Sequence, residues 1–152
     1  MRDVYGGMIR AGFVVVVFAL ALASTASAAL GPGGRPCQDR YFVGDTVPRA
    51  AANLAEGLKR GINGDVFAMR VYIGRAASIS HTGPVPCKPA LVRQWRVMGA
   101  SLKGYQRGVD QIISKEPQGA ATIRAATRKF TAVTVAVGNP VGPVLIRLVA
   151  KL

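Results

Sequence analysis

Residues 91–113 carry an unbroken helical pattern of apolar side chains, which restricts the fold more than any other part of the sequence. Apolar residues recur there at alternating spacings of four and three, so at about 100° per residue they form one stripe. The stripe consists of Leu91, Trp95, Met98, Leu102, Tyr105, Val109 and Ile112, and the cations Arg93, Arg96, Lys103 and Arg107 cluster opposite it. A long amphipathic helix needs other apolar helix faces to pack against. The sequence therefore predicts an all-α fold, a small bundle of three to four helices.

The first 28 residues have the features of a secretory signal peptide. Arg2 and Arg10 form a positive n-region, residues 13–23 form an apolar h-region, and the Ala-Ser-Ala sequence at 26–28 satisfies the small-x-small cleavage rule. The apolar run of about 11 residues is shorter than the roughly 20 helical residues that span a bilayer. The sequence therefore predicts cleavage before Ala29 and export to the periplasm or the cell exterior. A retained N-terminal anchor is the alternative.

The two cysteines, Cys37 and Cys87, predict one disulfide. An exported chain with an even number of cysteines pairs them in an oxidising compartment, and no C-x-x-C redox motif is present. The bond would close a loop of about 51 residues and stabilise the fold by roughly 4 kcal/mol in the chain-entropy model. The alternative is two unpaired, buried thiols.

The rest of the chain divides into an extended N-terminal segment, residues 29–46, and a single helical domain, residues 47–152. The N-terminal segment contains the Gly- and Pro-rich stretch 31–36 and no periodicity, so it is interpreted as loop. In the domain, the first helical pattern either breaks at Gly64, with Asp65 as the N-cap of a second helix, or continues and buries Asp65.

The last part of the domain also allows two interpretations. Residues 130–152 form either helix or a β-hairpin, because residues 131–137 are rich in β-branched side chains. The Gly- and Pro-containing stretch 138–143 breaks whichever structure precedes it.

Small residues form two columns at helical spacing, Gly57 with Gly61 and Ala100 with Gly104 and Gly108. Glycine inside a helix costs about 1 kcal/mol relative to alanine, so close approach of a second backbone is the natural reason to keep it. We therefore expect the first helix and the 91–113 helix to cross at these columns, within one chain or between subunits.

The charge is strongly positive. The chain has 20 Lys plus Arg against 7 Asp plus Glu, a net charge of +13, and leaving out the two basic residues and one acid of residues 1–28 gives +12. In an exported protein such an excess favours anionic partners, although a compositional bias that aids solubility is the alternative. The candidate anion-binding residues are Arg93, Arg96, Lys103, Arg107, Arg124, Arg128 and Lys129.

Few residues could support catalysis, and no ligand spacing for a metal or motif for a cofactor is present. His81, the only histidine, lies in a Pro- and Gly-bounded loop without an identifiable nucleophile or orienting acid. Haem could be bound by His81 or by a tyrosine (Tyr41, Tyr72, Tyr105). The sequence supports this interpretation less well than it supports core or boundary positions for the tyrosines. A cell-wall hydrolase would need two carboxylates with separate roles, and its pool of Asp39, Asp45, Glu56 and Asp65 forms no motif.

These features together favour an exported, non-enzymatic protein that binds an anionic envelope component or an acidic protein. The apolar tail from Val144 adds the option of peripheral membrane contact. Nucleic acid is disfavoured, because Trp95 and Tyr105 face away from the cations. A structural, self-assembling envelope protein is the main alternative, and a cell-wall hydrolase is the lesser one.

Overall fold

A computed structural model describes residues 29–152, which form five helices of eight or more residues and no β-strand. The helices are α1 (Val47–Ile62), α2 (Val66–Ile79), α3 (Pro89–Ile113), α4 (Gly119–Ala136) and α5 (Gly142–Val149). The all-α prediction is confirmed, but the helix count is five rather than three to four. Within the described range no helix has both the length and the apolar character needed to cross a membrane. The predicted signal peptide lies outside the described residues.

The apolar stripe of α3 lies in the core, as predicted. Met98, Leu102, Tyr105 and Val109 are at most 1% exposed, and the remaining stripe residues pack at the edge of the same core. α3 packs mainly against α4 and more lightly against α2, while α5 contacts both α4 and α1. The long amphipathic helix thus places its apolar stripe in the shared core between α2 and α4.

The first helical pattern breaks at Gly64. This residue has a φ of +84°, in the region that favours glycine. The Asp65 carboxylate accepts a 2.9 Å hydrogen bond from the Ala68 amide, so Asp65 is the N-cap of α2 and stays exposed. Of the two interpretations of this region, the broken helix is the correct one.

The last 23 residues are helical apart from short turns, so the β-hairpin interpretation is wrong. α4 continues to Ala136, and the turn after it contains Gly138 with a φ of +70°. The Thr134 hydroxyl is buried and donates to the Thr131 carbonyl at 2.7 Å. Burial of Val133 and Thr134 against the other helices therefore overrides the β propensity of this stretch.

Helical structure begins earlier than the sequence predicts. Residues 29–46 were expected to be extended, but one helical turn (Asp39–Tyr41) leads into a π-helical segment (Phe42–Thr46) that runs directly into α1. Phe42 is fully buried. A π-helix bonds residues five apart, so its side chains do not follow the 3.6-residue period by which a helix is recognised in sequence.

A covalent junction connects the N-terminal segment to the loop before α3. Cys37 and Cys87 form the predicted disulfide, with Cα atoms 5.1 Å apart. Beside it the Gln38 amide donates to the Val85 carbonyl at 2.7 Å, and the Val85 amide donates to the Pro36 carbonyl at 3.0 Å. The bond closes a long loop, so it restricts the unfolded chain as well as fixing this contact.

Asp39 strengthens the same junction. Its Oδ1 accepts hydrogen bonds from the backbone amides of Lys88 (3.0 Å) and Cys87 (2.8 Å), just before α3 begins at Pro89. The Lys88 amide bond is the main cause of a lowered Asp39 pKa, with further lowering by the Cys87 amide and the Lys88 charge against an opposing effect of burial. The carboxylate therefore acts as an anionic cap at the N-terminus of the central helix.

The two glycine columns contact other helices than expected. A Cβ on Gly57 would lie 3.2 Å from Tyr72 Cβ, on α2. A Cβ on Gly108 would lie 2.5 Å from Ile123 Cγ1 and 3.0 Å from the Gly119 carbonyl oxygen, both on α4. The prediction that the first and central helices cross at these columns is therefore wrong. Each column instead packs against the next helix along the chain, giving two antiparallel helix pairs, α1–α2 and α3–α4.

We expect Gly108→Ala to destabilise the fold by about 1–3 kcal/mol, because the added methyl group overlaps Ile123 and the Gly119 carbonyl. Gly99→Ala is the matched control in the same helix. No atom lies within 4 Å of its added Cβ, so this change should stabilise the protein by up to about 1 kcal/mol. Denaturant unfolding of the two variants measures both effects. Equal stability of the two would contradict close packing at Gly108.

We expect Asp39→Asn to destabilise the protein by about 1–2 kcal/mol near neutral pH, because it weakens charge-assisted hydrogen bonds. The folded-state pKa of Asp39 lies below its unfolded value of about 3.9, so its contribution is present above that pH and is lost as pH falls through the folded pKa. The difference between variant and wild type should therefore shrink in acid. Urea unfolding at several pH values tests this, with the surface-pair variant Asp45→Asn as control. A difference independent of pH would refute it.

Candidate functional site

Cations along α3 border two adjoining grooves. The first, of about 330 Å³, lies between α3 and the loop that precedes it, and its charged lining is Arg35, Arg96 and Lys103. The second, of about 370 Å³, lies between α3 and α4 and contains Lys103, Arg107 and Lys129. Lys103 and Ala100 belong to both. We call this continuous surface, with its five cations Arg35, Arg96, Lys103, Arg107 and Lys129, the cationic groove.

None of the residues that line the cationic groove is an Asp or a Glu. The acids of the described chain have other partners. The ion pairs in residues 29–152 are Asp45–Arg49 at 3.1 Å, Glu56–Arg60 at 2.9 Å, Asp110–Arg70 at 3.2 Å and Asp39–Lys88 at 3.9 Å. Asp65 caps α2, and Glu116 accepts a hydrogen bond from Gln118. The groove cations therefore have no anionic partner among the described residues.

The seven predicted anion-binding residues are all exposed, but the structure does not bring them together at one site. Four of them line the cationic groove: Arg96, Lys103, Arg107 and Lys129. Arg93 lies on the same helix but lines neither part of the groove. Arg124 and Arg128 line a different groove, between α4 and α5. The sequence grouped the predicted cations by the helix that carries them. In the structure, Lys129 of α4 shares a groove with the α3 cations, while Arg124 and Arg128 of α4 line a separate groove.

Arg35, His81 and Trp95 also line the groove, and the sequence assigned none of them to an anion site. The Arg35 guanidinium donates to the Gly83 carbonyl, across the disulfide junction. Trp95 packs against the core and also lines the groove, so the expectation that it faces away from the cations is wrong. The pairing of Cys37 with Cys87 was the available signal, because it brings residue 35 beside the loop that contains His81 and Gly83.

Buried hydrogen bonds fix α3 against α4 behind the groove. The Ser101 hydroxyl donates to the Ala126 carbonyl at 2.8 Å, and the Tyr105 hydroxyl donates to Thr127 Oγ1 at 2.7 Å. The Thr127 hydroxyl in turn donates to the Ile123 carbonyl at 2.9 Å. Burial raises the pKa of Tyr105, so the phenol stays protonated and remains a donor. These bonds set the spacing between the cations on α3 and Lys129 on α4.

The described residues give little support to catalysis at this site. Ser80 lies beside His81 in the groove, but its hydroxyl donates to the Ala77 carbonyl at 2.7 Å. The cationic groove and the groove between α4 and α5 contain no carboxylate, and a third groove, between α2 and α3, contains one, that of Asp110. Residues 29–152 hold no group of three or more His, Cys, Asp or Glu that could bind a metal ion. A two-carboxylate hydrolase therefore finds no pair of acids in these grooves.

Comparisons of the chain with protein-family models, with curated proteins and with solved structures gave no match. The chemistry of the groove is therefore the basis for a function. Its three arginines can bind phosphate, sulfate or carboxylate groups through two parallel hydrogen bonds, and its two lysines add point charges. Such a set of side chains is chemically suited to an anionic ligand.

We expect Thr127→Val to destabilise the protein by about 1–3 kcal/mol, because it leaves the buried Tyr105 hydroxyl without a partner. Adding Tyr105→Phe should recover most of that loss, because no unpaired phenol then remains. A double-mutant cycle on the free energy of unfolding measures the coupling. Simple additivity of the two losses would show that this bond does not join α3 to α4.

Proposed function

We propose that this chain is an exported, non-enzymatic binding protein whose cationic groove holds an anionic component of the cell envelope or an acidic protein. The observation that supports this most is the gathering of five cations around two adjoining grooves without a lining carboxylate. Like charges held together in this way repel one another, and a bound anion would relieve that repulsion.

The length of the groove favours an extended anion over a small one. At 1.5 Å per residue, Arg96 and Arg107 are about 16 Å apart along α3. A single phosphate or carboxylate group can contact only part of such a row. A segment of an acidic polymer, or an acidic stretch of a protein, could contact all of it.

Two features support the export part of the proposal. The disulfide between Cys37 and Cys87 is compatible with an oxidising compartment. The sequence pattern of residues 1–28 is typical of the n-region, h-region and cleavage motif of a signal peptide.

The self-assembly alternative draws no support from the glycine columns. Gly57 and Gly108 face α2 and α4 of the same chain, so these surfaces are already occupied. A self-assembling protein would have to use other surfaces of the molecule.

The test is a titration of the disulfide-bonded protein with an acidic polysaccharide at low and high salt, with a neutral polysaccharide as control. Trp95, the only tryptophan, lies in the groove and serves as a fluorescence probe. We expect binding that weakens steeply with salt, because screening acts mainly on exposed charges. Affinity that does not change with salt would contradict the proposal.

The matched variants separate the groove from net charge. Arg96→Gln, Lys103→Gln and Arg107→Gln together should abolish most of the binding. Arg40→Gln, Lys59→Gln and Arg75→Gln remove the same charge from exposed residues elsewhere and should weaken it only slightly. Equal losses in the two triple variants would mean that net charge alone, and not the groove, attracts the polymer.

A further inference from the structure

The C-terminal part of the chain differs in charge from the rest. Residues 117–152 contain no Asp or Glu but five cations: Arg124, Arg128, Lys129, Arg147 and Lys151. Every ion pair of the described chain lies between residues 39 and 110. α4 and α5 therefore present positive charge that no acid of their own helices offsets.

The same region exposes apolar side chains beside its cations. Val135 is 71% exposed and Ile146 is 46% exposed. Arg124, Arg128 and Val135 share one stripe of α4, because they are spaced by four and seven residues. On α5, the outward side combines Ile146 with Arg147, both exposed.

An apolar groove of about 480 Å³ lies between these two helices. α5 and the residue after it contribute Ile146, Val149 and Ala150, and α4 contributes Thr127 and the two cations Arg124 and Arg128. The groove thus has mainly apolar walls with guanidinium groups at its side. This combination matches a ligand that is apolar and anionic at once.

We propose that this α4–α5 face, defined by Arg124, Arg128, Val135, Ile146 and Arg147, docks on the surface of an anionic lipid bilayer. Exposed Val and Ile side chains can enter the boundary between headgroups and acyl chains, where their burial is favourable. The arginines then lie at the level of the lipid phosphates, whose negative surface potential attracts each nearby basic residue. Contact is peripheral, because α5 has only eight residues.

The charge pattern favours the α4–α5 face as the lipid-binding surface over the other exposed apolar patch, on α2. Phe67 and Val71 on α2 are also exposed, at 72% and 53%. Their neighbour Arg70, however, is paired with Asp110 at 3.2 Å. One further cation, Arg75, lies four residues after Val71 and has no acidic partner among the described residues, but its guanidinium lies 5.1 Å from the centre of the Tyr72 ring. The α2 patch therefore has apolar area with fewer unpaired cations than the three arginines of the α4–α5 helices, and it serves as the matched control.

Co-sedimentation with vesicles of equal parts phosphatidylglycerol and phosphatidylcholine tests the proposal, with pure phosphatidylcholine vesicles as reference. We expect binding to the anionic vesicles and little to the neutral ones. Arg124→Gln with Arg128→Gln should weaken binding by about tenfold or more, given the attraction of each basic residue to an anionic surface. Val135→Gln with Ile146→Gln should weaken it by a similar factor, because the apolar burial is lost. Phe67→Gln with Val71→Gln should leave it unchanged.

A second measurement locates the face directly and does not depend on loss of binding. In a Trp95→Phe background, Ile146→Trp should show a blue-shifted emission when anionic vesicles are added, and Phe67→Trp should not. No binding to the anionic vesicles, or the same shift at both positions, would overturn the proposal.

The groove variant separates this proposal from the proposed function. Arg96→Gln, Lys103→Gln and Arg107→Gln should leave most vesicle binding intact, because none of the three lines the α4–α5 groove. If this variant alone abolishes vesicle binding, the lipid is an anionic ligand of the cationic groove. That result would overturn the α4–α5 face and support the groove.

Discussion

The disulfide between Cys37 and Cys87 and the two hydrogen bonds to Asp39 act on the same short stretch of chain, the residues just before α3. Backbone amides at the start of a helix have no partner within the helix, and the Asp39 carboxylate supplies one with a charge of favourable sign. Since this junction fixes residues 35–39 against the loop that precedes the central helix, it also places Arg35 in the same groove as Arg96. The first part of the cationic groove therefore depends on a covalent bond outside it.

The cationic groove is positively charged because the acids of the described chain lie on other surfaces. A concentration of like charge works against the compact state, and neutralising it needs only a nearby carboxylate. The chain has such carboxylates, yet Asp45, Glu56 and Asp110 pair with arginines on other surfaces. Stability alone gives no reason for leaving Arg96, Lys103 and Arg107 without a partner. The proposed binding of an external anion would give one.

Sequence periodicity predicted those parts of the fold that one helix determines by itself. The core stripe of α3 was predicted in this way, and the break at Gly64 was one of two alternatives, because side-chain spacing and glycine conformation are local properties. The disulfide was predicted separately, from an even number of cysteines in a chain expected to be exported. The partner helices of the glycine columns were not predicted. A small residue such as Gly108 shows that something packs closely, but not which helix does so. The π-helical turns before α1 follow a different period from that of an α-helix, so the sequence pattern did not reveal them. Residues 131–136 are helical despite their β propensity, because packing against the other helices determines their conformation.

The candidate site shows the same limit. The sequence identified four of the five groove cations, all but Arg35, but grouped them by helix, whereas successive residues of one helix point about 100° apart. Arg128 and Lys129 are neighbours, yet one lines the groove toward α5 and the other lines the groove toward α3. Because the cationic groove and the α4–α5 groove share no lining residue, the proposed polymer on α3 and the proposed bilayer at α4–α5 would not compete. Binding at one surface would then raise the effective concentration of an envelope ligand at the other, which strengthens attachment without any new contact.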